Sequence, residues 1–232
     1  MRCYTYAASC AKALEACIDL SLDVIICDRP NPLGSTQRGP FLDPQYRSLL
    51  AYFNIPFQHG QTLGQILSSF NETLGSQKFS LHIYSAPLFS NPCEFPWYPP
   101  SPNLPSWSSV LLYPALVLLE GTNISEGRGT PFPFTCLGAP GLNQKTLISF
   151  LKNFPHIHAS PLSFMPQRSK FAGKACGGAH ILLKKIHNFD AFSFGKDLLS
   201  FLKDSYPEFY WLPLESSSKE SSSPRYFIDL LM

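Results

Sequence analysis

The chain has 232 residues, 44% apolar and 15% charged, with a net charge of +2. This composition excludes a disordered chain. The net charge is too small to argue for nucleic acid or a membrane surface as partner, and no apolar run reaches the ~20 residues of a membrane span. The 22 prolines and 19 phenylalanines predict rigid loops and an aromatic core.

Seven cysteines is an odd number, and Cys3, Cys10 and Cys17 lack the short paired spacing of a zinc site. Cys3, Cys10 and Cys17 stand seven apart, stacked on one helix face. They read as small buried residues in a reducing compartment. Ala7-Ala8-Ser9-Cys10 lacks a preceding apolar segment, so it is not a secretion signal, and the chain reads as cytoplasmic.

Residues 6–20 predict a helix with Ser9, Lys12, Glu15 and Asp19 on a polar stripe. Val24-Ile25-Ile26-Cys27 follows as a continuously apolar strand of the kind buried on both faces of a parallel sheet. A helix leading into such a strand implies a βαβ unit whose first strand comes before the helix. Asp28-Arg29-Pro30-Asn31-Pro32-Leu33-Gly34 comes next, at the strand end where α/β folds bind ligands. Asp28, Arg29 and Asn31 there either meet a ligand or staple a loop.

Residues 44–52 predict a short helix, and 62–74 a second with Thr62 as N-cap. His59 lies just ahead of that N-terminus, as a ligand contact or a structural histidine. Phe79–Tyr84 alternates like a strand. Phe95–Pro105 holds five prolines and three aromatics in eleven residues, a rigid wall suited to a sugar face or to covering a core.

Val110–Leu119 predicts a buried strand interrupted at Pro114. It delivers the chain to Glu120–Phe134, a glycine-rich turn carrying Glu120, Asn123, Glu126 and Arg128. Two carboxylates, an amide and a guanidinium suit a hydroxyl-rich ligand that also bears a carboxylate. The alternative is a tight loop held by its own side chains. Further on, 142–153 and 190–204 predict helices, 164–174 a basic loop and 179–185 a strand, with a domain boundary near 140. The serine-rich stretch 216–223 reads as flexible. A nucleotide-binding reading is disfavoured, because no Gly-x-Gly-x-x-Gly sits between a strand and a helix.

Several of these stretches occur in the order found in one family: Asp28–Gly34, His59-Gly60-Gln61-Thr62, Pro96–Asn103, Glu120–Thr130, Gly138-Ala139-Pro140 and Cys176-Gly177-Gly178. The sequence resembles the NamZ-type exo-β-N-acetylmuramidases, a bacterial family. The resemblance implies an α/β fold: part of a Rossmann-like parallel-sheet domain (1–140) followed by a smaller α/β or α+β domain (141–232). It implies an active site in the cleft between them and exo-release of terminal N-acetylmuramic acid from peptidoglycan fragments. No metal and no organic cofactor is implied.

The sequence also departs from the family pattern. Arg38 stands where an acidic residue is common, and Gly141 replaces a tryptophan. Arg2-Cys3-Tyr4-Thr5-Tyr6 matches a segment that relatives carry well inside their first domain. The expectation is a truncated chain, a split-gene half or a decayed copy, its N-terminal strands supplied by a companion polypeptide, with export left open for full-length relatives.

Glycoside hydrolysis needs a proton donor and usually a second carboxylate. The resemblance puts Glu15 forward as the catalytic candidate, against its reading as part of a solvated stripe. Tyr4, Tyr6, Asp28, Arg29, Asn31, His59, Glu120, Asn123, Glu126 and Arg128 are the candidates for binding a muramic-acid-containing saccharide. Arg29, Arg128 and Lys170 suit its lactyl carboxylate. The other reading is a non-catalytic, muropeptide-binding remnant.

Overall fold

The computed structural model describes residues 3–43, 47–49, 52–75, 80–85, 98–186 and 188–213. It divides into two compact units, residues 1–97 and 98–231, each considered by itself. The division falls ahead of the boundary expected near 140, because the segment from 107 onward packs against the C-terminal helix.

In the first unit, helix α1 (Tyr6–Asp19) leads to strand β1 (Val24–Cys27), helix α2 (Leu63–Leu74) and strand β2 (Leu81–Tyr84). The two strands pair in parallel, Val24 opposite Leu81 and Cys27 opposite Tyr84. The expected βαβ unit, with its first strand ahead of α1, is replaced by a different one: β1 is itself the first strand, crossing through α2 to β2. The expected burial of β1 on both faces is not found. Ile26 packs with Ala11 and Leu67 on the helix-covered side, while Ile25 is 64% exposed. Successive side chains point to opposite faces, and among the described residues only one face carries helices. Helix α2 starts where predicted. Thr62 accepts from Gln65 N–H, and the Gln65 side chain accepts from Thr62 N–H, a reciprocal capping box. The helix expected over 44–52 lies partly outside the described residues, and 47–49 are not helical. Of the aromatic wall, 95–97 lie outside them, and Ser101–Leu104 closes as a turn. The serine-rich stretch also falls outside.

In the second unit, Val110–Leu119 is not a strand. Helix α3 spans Trp107–Leu116 and passes into a 3-10 turn, Val117–Gly121. An apolar run this long is ambiguous between strand and buried helix. The deciding signal is the Ser106/Ser109 capping box, in which each side chain accepts from the other residue's amide. The helix is apolar all round because it is buried nearly all round, with Leu112, Ala115 and Leu116 at 0% exposure. Helix α5 (Ala191–Ser205) crosses it closely. Gly195 permits this, since a Cβ there would lie 2.7 Å from the Ala115 Cα.

Strands β3 (Cys136–Ala139), β4 (Ile157–Phe164) and β5 (Cys176–Leu183) form an antiparallel sheet in the order β3-β5-β4. Helix α4 (Gln144–Leu151) packs on it. The sequence reading passes over β4, whose Pro161 argues against a central strand. As the rim strand, β4 tolerates a proline. Among the described residues no helix is long and apolar enough to cross a membrane.

Candidate functional site

The candidate residues fall into two sets, one in each unit. In the first unit, three of them meet at the N-terminus of α2. Asp28 Oδ2 accepts from Thr62 Oγ1 at 2.5 Å and Oδ1 from Gly64 N–H at 3.0 Å. Its carboxylate thereby supplies the negative charge a helix N-terminus favours. Asn31 Nδ2 donates to the Gln61 carbonyl at 3.0 Å, while its Oδ1 accepts from Leu33 N–H at 2.9 Å. His59 is 8% exposed, and its Nδ1 accepts from Gln61 N–H at 3.0 Å. Burial pushes the His59 pKa down to about 3, and the accepted hydrogen bond likewise requires a bare Nδ1. The imidazole is therefore neutral. Arg29, beside them in sequence, is exposed.

The remaining candidates of this unit belong to α1 and the residues before it. Tyr4 and Tyr6 meet edge to face, ring centres 5.1 Å apart. Glu15 pairs with Lys12 at 2.9 Å and accepts from the Tyr52 hydroxyl at 2.5 Å. The Tyr52 bond, then Lys12, holds its carboxyl below the usual range. Glu15 is thus an ionised surface carboxylate, poorly suited to donate a proton near neutrality. A concavity of about 470 Å³ opens beside Tyr52, Phe53, Gln61 and Phe70. None of the candidates themselves lines it.

In the second unit the structure brings Glu120, Glu126 and Arg128 together and adds Lys170. Arg128 Nη2 lies 2.5 Å from Glu120 Oε1, and its Nε 3.7 Å from Glu126 Oε1. The guanidinium also sits over the Phe134 ring, 5.2 Å from its centre. The Glu120 contact is an ion contact without hydrogen-bond alignment. Glu120 Oε1 and Arg128 Nε are both buried without a hydrogen-bond partner among the described residues. Glu126 is 1% exposed and receives Lys170 Nζ at 3.0 Å.

Burial raises the Glu120 pKa to about 7. Arg128 opposes that rise, but the close Glu126 charge adds to it, and desolvation wins. Asn123 is committed within its unit. Its Nδ2 donates to the Glu208 carbonyl at 2.7 Å and its Oδ1 accepts from Tyr210 N–H at 3.0 Å. An open hollow of about 340 Å³ lies alongside, lined by Asn123, Lys170, Lys174 and Tyr210.

The sequence offers Lys170 to a ligand carboxylate. Its ammonium instead donates to the Leu119 carbonyl at 2.6 Å, the Ile124 carbonyl at 2.9 Å and Glu126. Tyr52 and Thr62 join the candidates as partners of Glu15 and Asp28. Thr62 was visible as a cap, whereas nothing local ties Tyr52 to Glu15, 37 residues away. Among the described residues no group of three His, Cys, Asp or Glu side chains is placed to hold a metal ion.

A mixed α/β chain with a parallel strand pair and an antiparallel sheet has the fold class the sequence resemblance implies. The comparisons with known proteins make the assignment. The chain belongs to the exo-beta-N-acetylmuramidase NamZ family: its N-terminal model matches residues 1–108 and its C-terminal model residues 111–232. It is 36% identical over 215 residues to the peptidoglycan beta-N-acetylmuramidase NamZ of Bacillus subtilis, covering 89% of this chain and 52% of that protein. The chain thus spans about half the length of this curated relative.

Two crystal structures of DUF1343 family proteins from Bacteroides fragilis share the fold. One has a TM-score of 0.77 at 23% identity, over 89% of this chain and 56% of that one. The other has a TM-score of 0.67 at 28% identity, over 100% and 61%.

Proposed function

We propose that the chain acts in a glycoside hydrolase of peptidoglycan fragments, releasing terminal N-acetylmuramic acid. Family membership supports the reaction class. The observation that carries the reading within this chain is the buried Glu120 carboxyl, with a pKa raised to about 7. A proton donor to a leaving glycosidic oxygen must stay protonated near working pH, and burial beside a like charge achieves that. In this reading Glu120 is the donor and replaces Glu15 in that role.

Arg128 sets the position of the Glu120 carboxyl. Glu126 lies between Arg128 and Lys170. Arg128 and the exposed Arg29 are the cations offered to the lactyl carboxylate. Tyr4, Tyr6, Asp28, Asn31, His59 and Asn123 stay in the binding set, although Asp28, Asn31 and Asn123 also serve their own units.

The test compares two substrates. A natural muropeptide has a poor leaving group that needs a proton, whereas a nitrophenyl muramide does not. Glu120→Gln should lower muropeptide turnover by roughly 100-fold or more while sparing much of the nitrophenyl reaction. Equal losses on both substrates would remove Glu120 from the donor role. Binding of the muropeptide without release at any pH from 5 to 8 would favour a binding module instead.

A further inference from the structure

The loop between β4 and β5 is built around Lys170. The residues on either side of it, Ser169 and Phe171, both have left-handed backbone, with φ of 68° and 59°. Side-chain-bearing residues adopt that conformation at a cost, and it persists where surrounding contacts enforce it. Here the loop is held by its own backbone bonds, Gly173 N–H to the Pro166 carbonyl and Lys174 N–H to the Phe171 carbonyl, together with those of the ammonium. A lysine has three N–H groups, and Lys170 places them on the Leu119 carbonyl, the Ile124 carbonyl and Glu126 Oε2.

The loop is docked a second time, through Gln167 N–H to the Gly129 carbonyl at 2.9 Å. Gly129, at φ +79°, leaves no room for a Cβ against the Arg168 carbonyl. The Glu120–Arg128 segment is therefore gripped near both ends. Glu126, within it, shares Arg128 with Glu120. A buried carboxylate that lost Lys170 would have Arg128 as its remaining cation and would draw it in, because an unpaired buried charge is costly.

We propose that Lys170 is a positioning residue: by neutralising Glu126 and fixing the 119–126 backbone, it keeps the Arg128 guanidinium on Glu120. The catalytic consequence rests on reading Glu120 as the proton donor; the positioning itself does not. The charged groups acting on Glu120 are Arg128, Glu126 and Lys170. Removing Lys170 subtracts a positive charge and pulls Arg128 away, and both push the Glu120 titration upward.

The experiment follows the Glu120 carboxyl carbon by NMR in the full chain labelled at glutamate, from pH 4 to 9. In Lys170→Met the midpoint should rise by about one unit. In the double variant Lys170→Met with Glu126→Gln it should return to the wild-type value or below, because Arg128 is left to Glu120 alone. An unchanged midpoint in Lys170→Met, or a double variant that tracks it, overturns the proposal. Should Lys170→Met not fold, the double variant is compared with Glu126→Gln. A difference well short of one unit, the part owed to the Lys170 charge itself, supports action through Glu126, and a difference of a full unit overturns it.

The pH profile of kcat/KM on muropeptide should shift its alkaline limb with the midpoint. A midpoint that moves as expected while the chain releases no muramic acid would sink the proton-donor reading and leave Lys170 in its positioning role.

Discussion

Glu15 in the first unit and Glu120 in the second are the same residue type, each against one cation, Lys12 or Arg128. Their carboxyl groups shift in opposite directions, Glu15 downward and Glu120 up to about 7. The difference is the core beneath them. The first unit packs Ala11, Ile26 and Leu67 between its helices and strands and leaves Leu20, Ile25 and Tyr84 exposed. The second surrounds its cluster with Leu118, Leu119, Ile124, Phe134 and Leu137, all fully buried. At a wet surface the Tyr52 hydroxyl bond, and then the Lys12 pair, stabilise the charged form of Glu15. An ion pair over a dry core does not offset the lost hydration. Acid–base chemistry in this chain is therefore expected from the well-packed unit.

The contrast can be broken most forcefully through packing. Leu116→Ala, at a fully buried position in α3, should cost about 2–5 kcal/mol in denaturant unfolding. Ile25→Ala in the exposed face of β1 should cost less than about 0.5 kcal/mol. Similar costs would mean that the two cores do not differ as described.

A pH series sharpens it next. His59, neutral in the fold with its pKa lowered to about 3, gives the first unit stability that is present above 6.5 and lost as pH falls from there. Glu120 works the other way. Its folded pKa is raised from 4.5 to about 7, so the second unit is most stable with the carboxyl protonated and loses stability as pH climbs through 7. That loss is about 3 kcal/mol at roughly 1.4 kcal/mol per unit. Hydrogen exchange read separately in each unit between pH 4.5 and 6.5 should drift in opposite directions, and Glu120→Gln should flatten the second trend. Parallel drifts would contradict the assignment.

Asp28→Ala should cost about 1–2 kcal/mol. Its effect should appear as faster amide exchange in the first turn of α2, with the second unit unmoved. Glu15→Gln comes last, at less than about 1 kcal/mol, since its Lys12 partner is exposed. A large loss of activity in Glu15→Gln would return the catalytic role to the first unit.

Local signals in the sequence located much of this. The α2 cap, the strands β1 and β2 taken singly and the dense charge of 120–128 all announce themselves within a few residues, whereas the pairing of β1 with β2 joins residues 57 apart. The apolar run 110–119 carries no period to separate strand from helix, and the informative mark is a serine three residues from another serine. The Lys170 contacts were out of reach for a different reason. They span 44 to 51 residues, and a lysine in a basic loop looks solvent-facing until the fold brings carbonyls to it.

Pro161 lies opposite Ala179 in the β4–β5 ladder. Ile181, two residues along β5, donates its amide to Thr135 on the β3 side. By alternation the polar groups of Ala179 also face β3, so the nitrogen of Pro161 points outward. A foreign strand approaching that rim would find no amide hydrogen at the centre of the strip it must bond. The sheet cannot template its own growth there, which guards the second unit against polymerising from that side at high concentration.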